Sequence, residues 1–153
     1  MAWLEMRVPP LVVTLCGALA MLATDVLWPD SRVSWMQQPW LALLLLAVGI
    51  GVALAGVLAF RRQRTSVNPL HGDGVATLVG QGVYRWTRNP MYLGFVLWLL
   101  SLAFWLGHAA VLAVPLLVVV WLTRWQIVPE ERLLAQRFGQ GYHDYCARVR
   151  RWI

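Results

Sequence analysis

The sequence predicts an all-α, polytopic membrane protein with four transmembrane helices and short interfacial helices on the cytoplasmic side. Three observations carry this reading. Of the 153 residues, 59% are hydrophobic and only 13% charged, against roughly one quarter charged in an ordinary soluble domain, and the mean hydropathy is +0.60. Four apolar runs, about 8–28, 40–60, 91–107 and 109–128, match the roughly 20 residues needed to cross hydrocarbon. All 13 basic residues are arginine, and only Arg32 falls in the loop between the first two runs. With both termini cytoplasmic, the positive-inside rule accounts for every arginine but that one.

The first run is expected to be retained, because "RVPP" opens it and "LWPDSR" follows it where a small-residue cleavage site would stand. Pro9 and Pro10 suit a first helical turn, and tryptophans 28, 35 and 40 form an interfacial belt. The second run carries Ala47, Gly51, Ala55 and Ala59 at four-residue spacing. This stripe reads as a helix-packing face, and it also suits a homodimer.

Residues 61–90 form the one long polar connection. A loop longer than about 15 residues between such economical spans is expected to be functional. "NPLHGDG" supplies turn formers, and "VATLVGQGVYRW" is apolar enough to lie along the interface. Met91 to Thr123 is uncharged, but as one helix it would extend about 50 Å, too long for a hydrocarbon core of about 30 Å. The chain is therefore expected to turn back at "GHAA", Gly107 to Ala110. Beyond the fourth run, Pro129 opens a new amphipathic helix carrying Leu133, Leu134 and Phe138, which Gly139 and Gly141 break. "YHDYCARVRRWI" then returns along the interface with its arginines toward phosphates.

The net charge of +6 follows from topology and from anionic lipid, with no call for nucleic acid. Cys16 and Cys146 belong to no CxxC, and His71, His108 and His143 are scattered, so neither a disulfide framework nor a metal site is expected. "GQG" at Gly80 to Gly82 meets Arg85 where GxGxxG needs its last glycine, and it signifies nothing alone. Glu130 and Glu131 have two readings. They stabilise a helix N-terminus, or they point inward at the membrane edge and signify function. Arg124 either snorkels or holds an anion, and Arg85 and Arg88 are anchors unless a pocket claims them.

In combination and order, "RTSVNP", "LVGQGVYRWTRNPMYLG" and "PEERLLAQRFGQGYHDYCARVRRWI" resemble the isoprenylcysteine carboxyl methyltransferase family, which is similar in turn to phospholipid N-methyltransferases. The resemblance covers most of residues 64–153. It implies a membrane methyltransferase whose S-adenosylmethionine pocket is built from the segment before span three and the helix after span four. Carried over by position, it assigns cofactor contacts to Gly82, Tyr84, Arg88, Asn89, Pro90, Tyr92, Gly94, Glu130 and Glu131. Asn89 stands where enzymes that methylate prenylcysteine usually carry histidine.

These residue types suit a ligand with a carboxylate, a diol, an adenine ring and a sulfonium cation. The acceptor implied is lipophilic: an isoprenylcysteine-like carboxylate, a lipid, or a hydrophobic thiol or amine. Arg124 or Arg85 would hold a carboxylate acceptor, whereas Glu131 or Tyr92 would serve as base for a thiol or amine. Two other readings remain open: a sterol-reductase-like enzyme using NADPH, and a non-enzymatic membrane protein that binds anionic lipids through its basic loops.

Overall fold

The computed structural model describes residues 5–62 and 78–153. Among these the structure is helical, with no strand beyond an isolated bridge between Arg32 and His108. Helix α1 (Pro10–Leu27) and α2 (Pro39–Arg62) are long and apolar enough to cross a membrane, and α3 (Pro90–Leu106) is a shorter apolar helix. Helix α4 (Ala113–Leu122) runs through a five-residue π-helical stretch, Thr123–Ile127, into α5 (Val128–Phe138), and α6 (Gln140–Arg148) follows. The sequence motifs "RTSVNP" and "NPLHGDG" lie outside the described residues.

Helix α2 lies along α3, while α1 packs on α3 and α4. The core between them is Ala18 and Met21 of α1, Leu99, Ala103 and Leu106 of α3, and Val118 and Leu122 of α4. With lipid as apolar as leucine, close packing rather than water exclusion must hold such helices together. The α2–α3 contact shows this directly: a Cβ on Gly94 would stand 2.7 Å from the Gly49 carbonyl oxygen and 2.8 Å from the Ala53 Cβ. Ser101 adds an interhelical bond, donating to the Ala42 carbonyl at 2.7 Å.

The stripe expected to pack is not the one that packs. Ala47, Gly51 and Ala55 are exposed on the outer face of α2, and a Cβ on Gly51 would meet nothing within 4 Å. Gly49, Ala53 and Gly56 face α3 instead. Both sets are small residues at helical spacing, and on a helix apolar all round the pattern alone does not choose between them.

The turn at Gly107 forms as expected. Gly107 is left-handed at φ 73° and caps α3, its N–H donating to the Ala103 carbonyl. Its own carbonyl accepts from Val33 at 2.7 Å, and a Cβ would crowd the Gln37 Cβ at 3.0 Å. Gly107→Ala is therefore expected to cost about 1–2 kcal/mol from the backbone conformation alone, read as a lower unfolding midpoint in detergent. Beside this turn, buried His108 bonds Asp25 through Nε2 at 2.9 Å and Ser31 through Nδ1 at 3.0 Å. Arg32, the arginine outside the topological pattern, grips the same Asp25 with two bonds of 2.8 and 2.7 Å.

The helix of the fourth apolar run does not end at 128: Pro129 sits in the first turn of α5, as expected, but with no break before it. Ala110–Phe138 is one helical run of 29 residues. A proline within a helix leaves the carbonyl four residues earlier without its usual donor. Here that carbonyl belongs to Trp125, and the Met6 amide supplies the bond at 3.0 Å. The π stretch immediately before Pro129 absorbs the remaining distortion. Gly139, at φ 51°, ends α5 as expected, but Gly141 lies inside α6 rather than breaking the chain again.

Candidate functional site

At the end of the bundle where α2 finishes and α3 begins, residues of α2, α3, α5 and α6 line a partly open cavity of about 110 Å³. Its floor is the segment entering α3. Residues 82–85 make a tight helical turn, with Gly82 at φ 62°, that buries Tyr84. The Tyr84 ring meets Phe60 of α2 edge-on at 5.4 Å.

The same segment is bound to the C-terminal tail. The Arg88 amide donates to the Arg150 carbonyl at 3.0 Å, and Thr87 Oγ1 and Asn89 Nδ2 both donate to the Arg151 carbonyl, at 3.3 and 2.9 Å. Helix α6 closes over this, with the Tyr145 hydroxyl donating to the Tyr84 carbonyl at 2.8 Å. Burial pushes the Tyr145 phenol up to about 12 and raises those of Tyr84 and Tyr142 too. All three remain neutral hydroxyls at working pH.

The two carboxylates of α5 are treated differently. Glu131 is bridged by two guanidiniums: Arg151 binds both its oxygens, at 3.0 and 2.6 Å, and Arg88 reaches Oε1 at 3.1 Å. The Arg151 guanidinium is in turn held above its ordinary value by the Glu131 carboxylate. Glu130 has only neutral donors among the described residues, the Tyr92 hydroxyl at 2.7 Å and Gln126 Nε2 at 2.6 Å. Both act on Oε1.

Of the residues singled out by sequence, Tyr84, Arg88, Asn89, Pro90, Tyr92, Glu130 and Glu131 line this cavity. Gly82 and Gly94 do not: Gly82 shapes the turn beneath Tyr84, and Gly94 is consumed by the α2–α3 contact. Arg85 points into a separate, more open groove with Gln81 and Arg148. Arg124 is 57% exposed on the far side of the π stretch, 3.4 Å from Glu5. Neither arginine lines the cavity.

Several groups in or behind the cavity wall escaped the sequence reading. Arg151 was assigned to lipid phosphates, and its pairing with a carboxylate 20 residues away has no local signature. Tyr142 and Tyr145, whose sequence setting suits membrane-belt residues equally well, are buried. Gln126 was passed over, although its four-residue spacing to Glu130 was a usable signal.

The cavity leaves opposite valences open. Arg88 Nε is buried with no acceptor, and Glu130 Oε2 receives no hydrogen bond from the described residues. A buried donor without an acceptor is costly and calls for a partner. Together they fit a ligand carrying both a carboxylate and a positive charge.

Known proteins agree with a methyltransferase. The family model for phospholipid methyltransferase matches residues 37–141. Protein-S-isoprenylcysteine O-methyltransferase A of Arabidopsis thaliana is 32% identical over 136 residues, covering 88% of this chain and 68% of that one. The probable protein-S-isoprenylcysteine O-methyltransferase of Oryza sativa subsp. indica is 29% identical, covering 84% and 66%. That of Mus musculus is 29% identical, covering 82% and 44%. The chain thus spans about two thirds of these plant proteins' length and less than half of the mouse protein's. With the match running from the start of α2 through α5 to the start of α6, the chain belongs to the phospholipid methyltransferase family.

Proposed function

We propose that the protein is an integral-membrane methyltransferase that takes its methyl group from S-adenosylmethionine and passes it to a lipophilic acceptor. The observation that carries this is the pairing of an unneutralised carboxylate oxygen with an unpartnered guanidinium nitrogen in one cavity. The donor supplies a methyl group already activated on a sulfonium sulfur. Arg88 would hold its carboxylate, Glu130 would face the cation, and Tyr84 and Phe60 would wall the adenine ring.

The chain's own work is alignment and exclusion of water, since no covalent help is needed for displacement at an activated methyl. Glu131, saturated by two arginines, orients Arg88 rather than taking a proton. Met91, Leu134 and Phe138 give the cavity an apolar side, which suits an acceptor with a hydrocarbon tail, whether it presents a carboxylate, a thiol or an amine. For the last two, Glu130 is the group placed to receive a proton, either directly or through the Tyr92 hydroxyl, which would pass its own proton to Glu130 as it takes one. The cavity end faces the cytoplasm in this reading. Residues 5 and 151 both lie at that end, bound to Arg124 and Glu131, which supports termini on one side.

Calorimetry on the detergent-purified protein tests the donor. Saturable binding of S-adenosylmethionine and S-adenosylhomocysteine, with none for NADPH, is the expected result. Binding of NADPH alone would overturn the reading in favour of a reductase. Arg85→Gln and Arg124→Gln, both outside the cavity, are expected to keep donor affinity within about twofold, as exposed charges contribute little. A tenfold loss at either would move the site.

A further inference from the structure

The π stretch raises a question that the proposed function does not answer, namely why Gln126 is buried, at 7% exposure, one turn before Glu130. A five-residue π turn shifts every side chain after it around the helix axis relative to a continuous α-helix, and such turns concentrate at functional sites. Here it places Gln126 inside the bundle and directly behind Glu130. Its Nε2 donates to Glu130 Oε1 at 2.6 Å, onto the oxygen that already accepts from Tyr92 at 2.7 Å.

Two donors on one oxygen do two things. They fix the carboxyl plane, and they leave Oε2 without a hydrogen bond from the described residues on a side chain that lines the cavity. Both donors are neutral, so the negative charge is held in place without being cancelled. This contrasts with Glu131 one residue on, where two guanidiniums do the holding.

We infer that Gln126 is a positioning residue that, with Tyr92, clamps Glu130 so that Oε2 presents an uncancelled negative charge to the donor's sulfonium sulfur. The clamp makes the site prefer a sulfonium cation over the neutral thioether left after transfer. This rests on the S-adenosylmethionine reading and deepens it. A carboxylate favours a cation over an uncharged group of the same shape most strongly where water is scarce. Donor and product share every group but one, including the amino acid end: they differ only at the sulfur, which in the donor carries the methyl group and the positive charge. Spent product would therefore leave more readily than donor.

Calorimetry of the full chain in detergent, titrated separately with S-adenosylmethionine and S-adenosylhomocysteine, reads this preference as a ratio. Gln126→Met keeps the volume and removes the donor, and it is expected to weaken S-adenosylmethionine about tenfold while leaving S-adenosylhomocysteine within about twofold, the size of one hydrogen bond to a charged group. Equal weakening of both ligands would show that Gln126 serves only the fold, or that Glu130 binds the amino group common to both, and would overturn the inference. No change in either would overturn it as well.

Glu130→Gln supplies a second measure if Gln126→Met is poorly folded. It should lower the same ratio, and Gln126→Met added to it should lower the ratio no further. Additive losses in the double variant would sink the clamp. If the parent protein binds neither adenosyl ligand, it is the donor reading that has failed, and the clamp falls with it. A parent that binds both with a ratio unaffected by either variant leaves the donor reading standing and the clamp refuted.

Discussion

Glu131→Gln should lower the affinity for S-adenosylmethionine by about a hundredfold while the protein still inserts and stays helical. The magnitude follows from what the carboxylate holds. It accepts two bonds from Arg151 and one contact from Arg88, whose side chain is 14% exposed. Removing one member of a buried ion pair costs about 3–5 kcal/mol, because the partner charge is stranded. Arg151 is 37% exposed and will turn to water, so much of its share is screened.

Arg88 has no such escape. Its Nη1 would keep only the Cys146 thiol at 2.6 Å, and its Nε would lose the alignment that offers it to a ligand carboxylate. Calorimetry gives the affinity, and circular dichroism separates a lost site from a lost fold. Arg62→Gln, at the exposed end of α2, is the control and should bind like the parent. If Glu131→Gln binds and turns over normally, the cavity is not the donor site.

Gly94→Leu is the second large effect, and it acts through packing. The Cβ alone would approach the Gly49 carbonyl oxygen to 2.7 Å and the Ala53 Cβ to 2.8 Å, both parts of a rigid helix that cannot swing aside. Overpacking by single methylenes already costs about 1–3 kcal/mol, and a leucine adds several. Helices α2 and α3 must separate, and Phe60 and Tyr92 move with them.

The expected result is a lower unfolding midpoint together with at least a tenfold loss of donor affinity, since each 1.4 kcal/mol of misalignment is a factor of about ten. Gly51→Leu is the matched control. It lies two residues from Gly49 on the same helix but faces open space, so it should leave both measurements near the parent's. Equal damage at the two glycines would mean that the α2–α3 contact does not set the outcome, since leucine is the better helix former at both positions.

What sequence reveals about such a chain depends on which physical force leaves a trace. The spans were readable because lipid demands apolar residues over a fixed length, and the turn at Gly107 because an uncharged stretch exceeded that length. Which face of α2 meets α3 left no trace, since in lipid every face is apolar and Gly51 looks as suitable as Gly49. At the site, Tyr84, Arg88, Tyr92, Glu130 and Glu131 were found through the order of their motifs. Arg151 was not, because its bond to Glu131 exists only after the tail has returned to the start of α3. Gln126 and the early ending assigned to the fourth span fail for one reason. Proline was taken as a break, when a π turn and the Met6 amide let the helix carry through it.

The bonds from the segment entering α3 to residues 150 and 151 have a consequence for biosynthesis. Every described helix, α1 through α6, is translated before those carbonyls exist. While those residues are still inside the ribosome the segment entering α3 lacks the carbonyls that anchor Arg88 and Asn89, so the floor of the cavity is tied down only after they emerge.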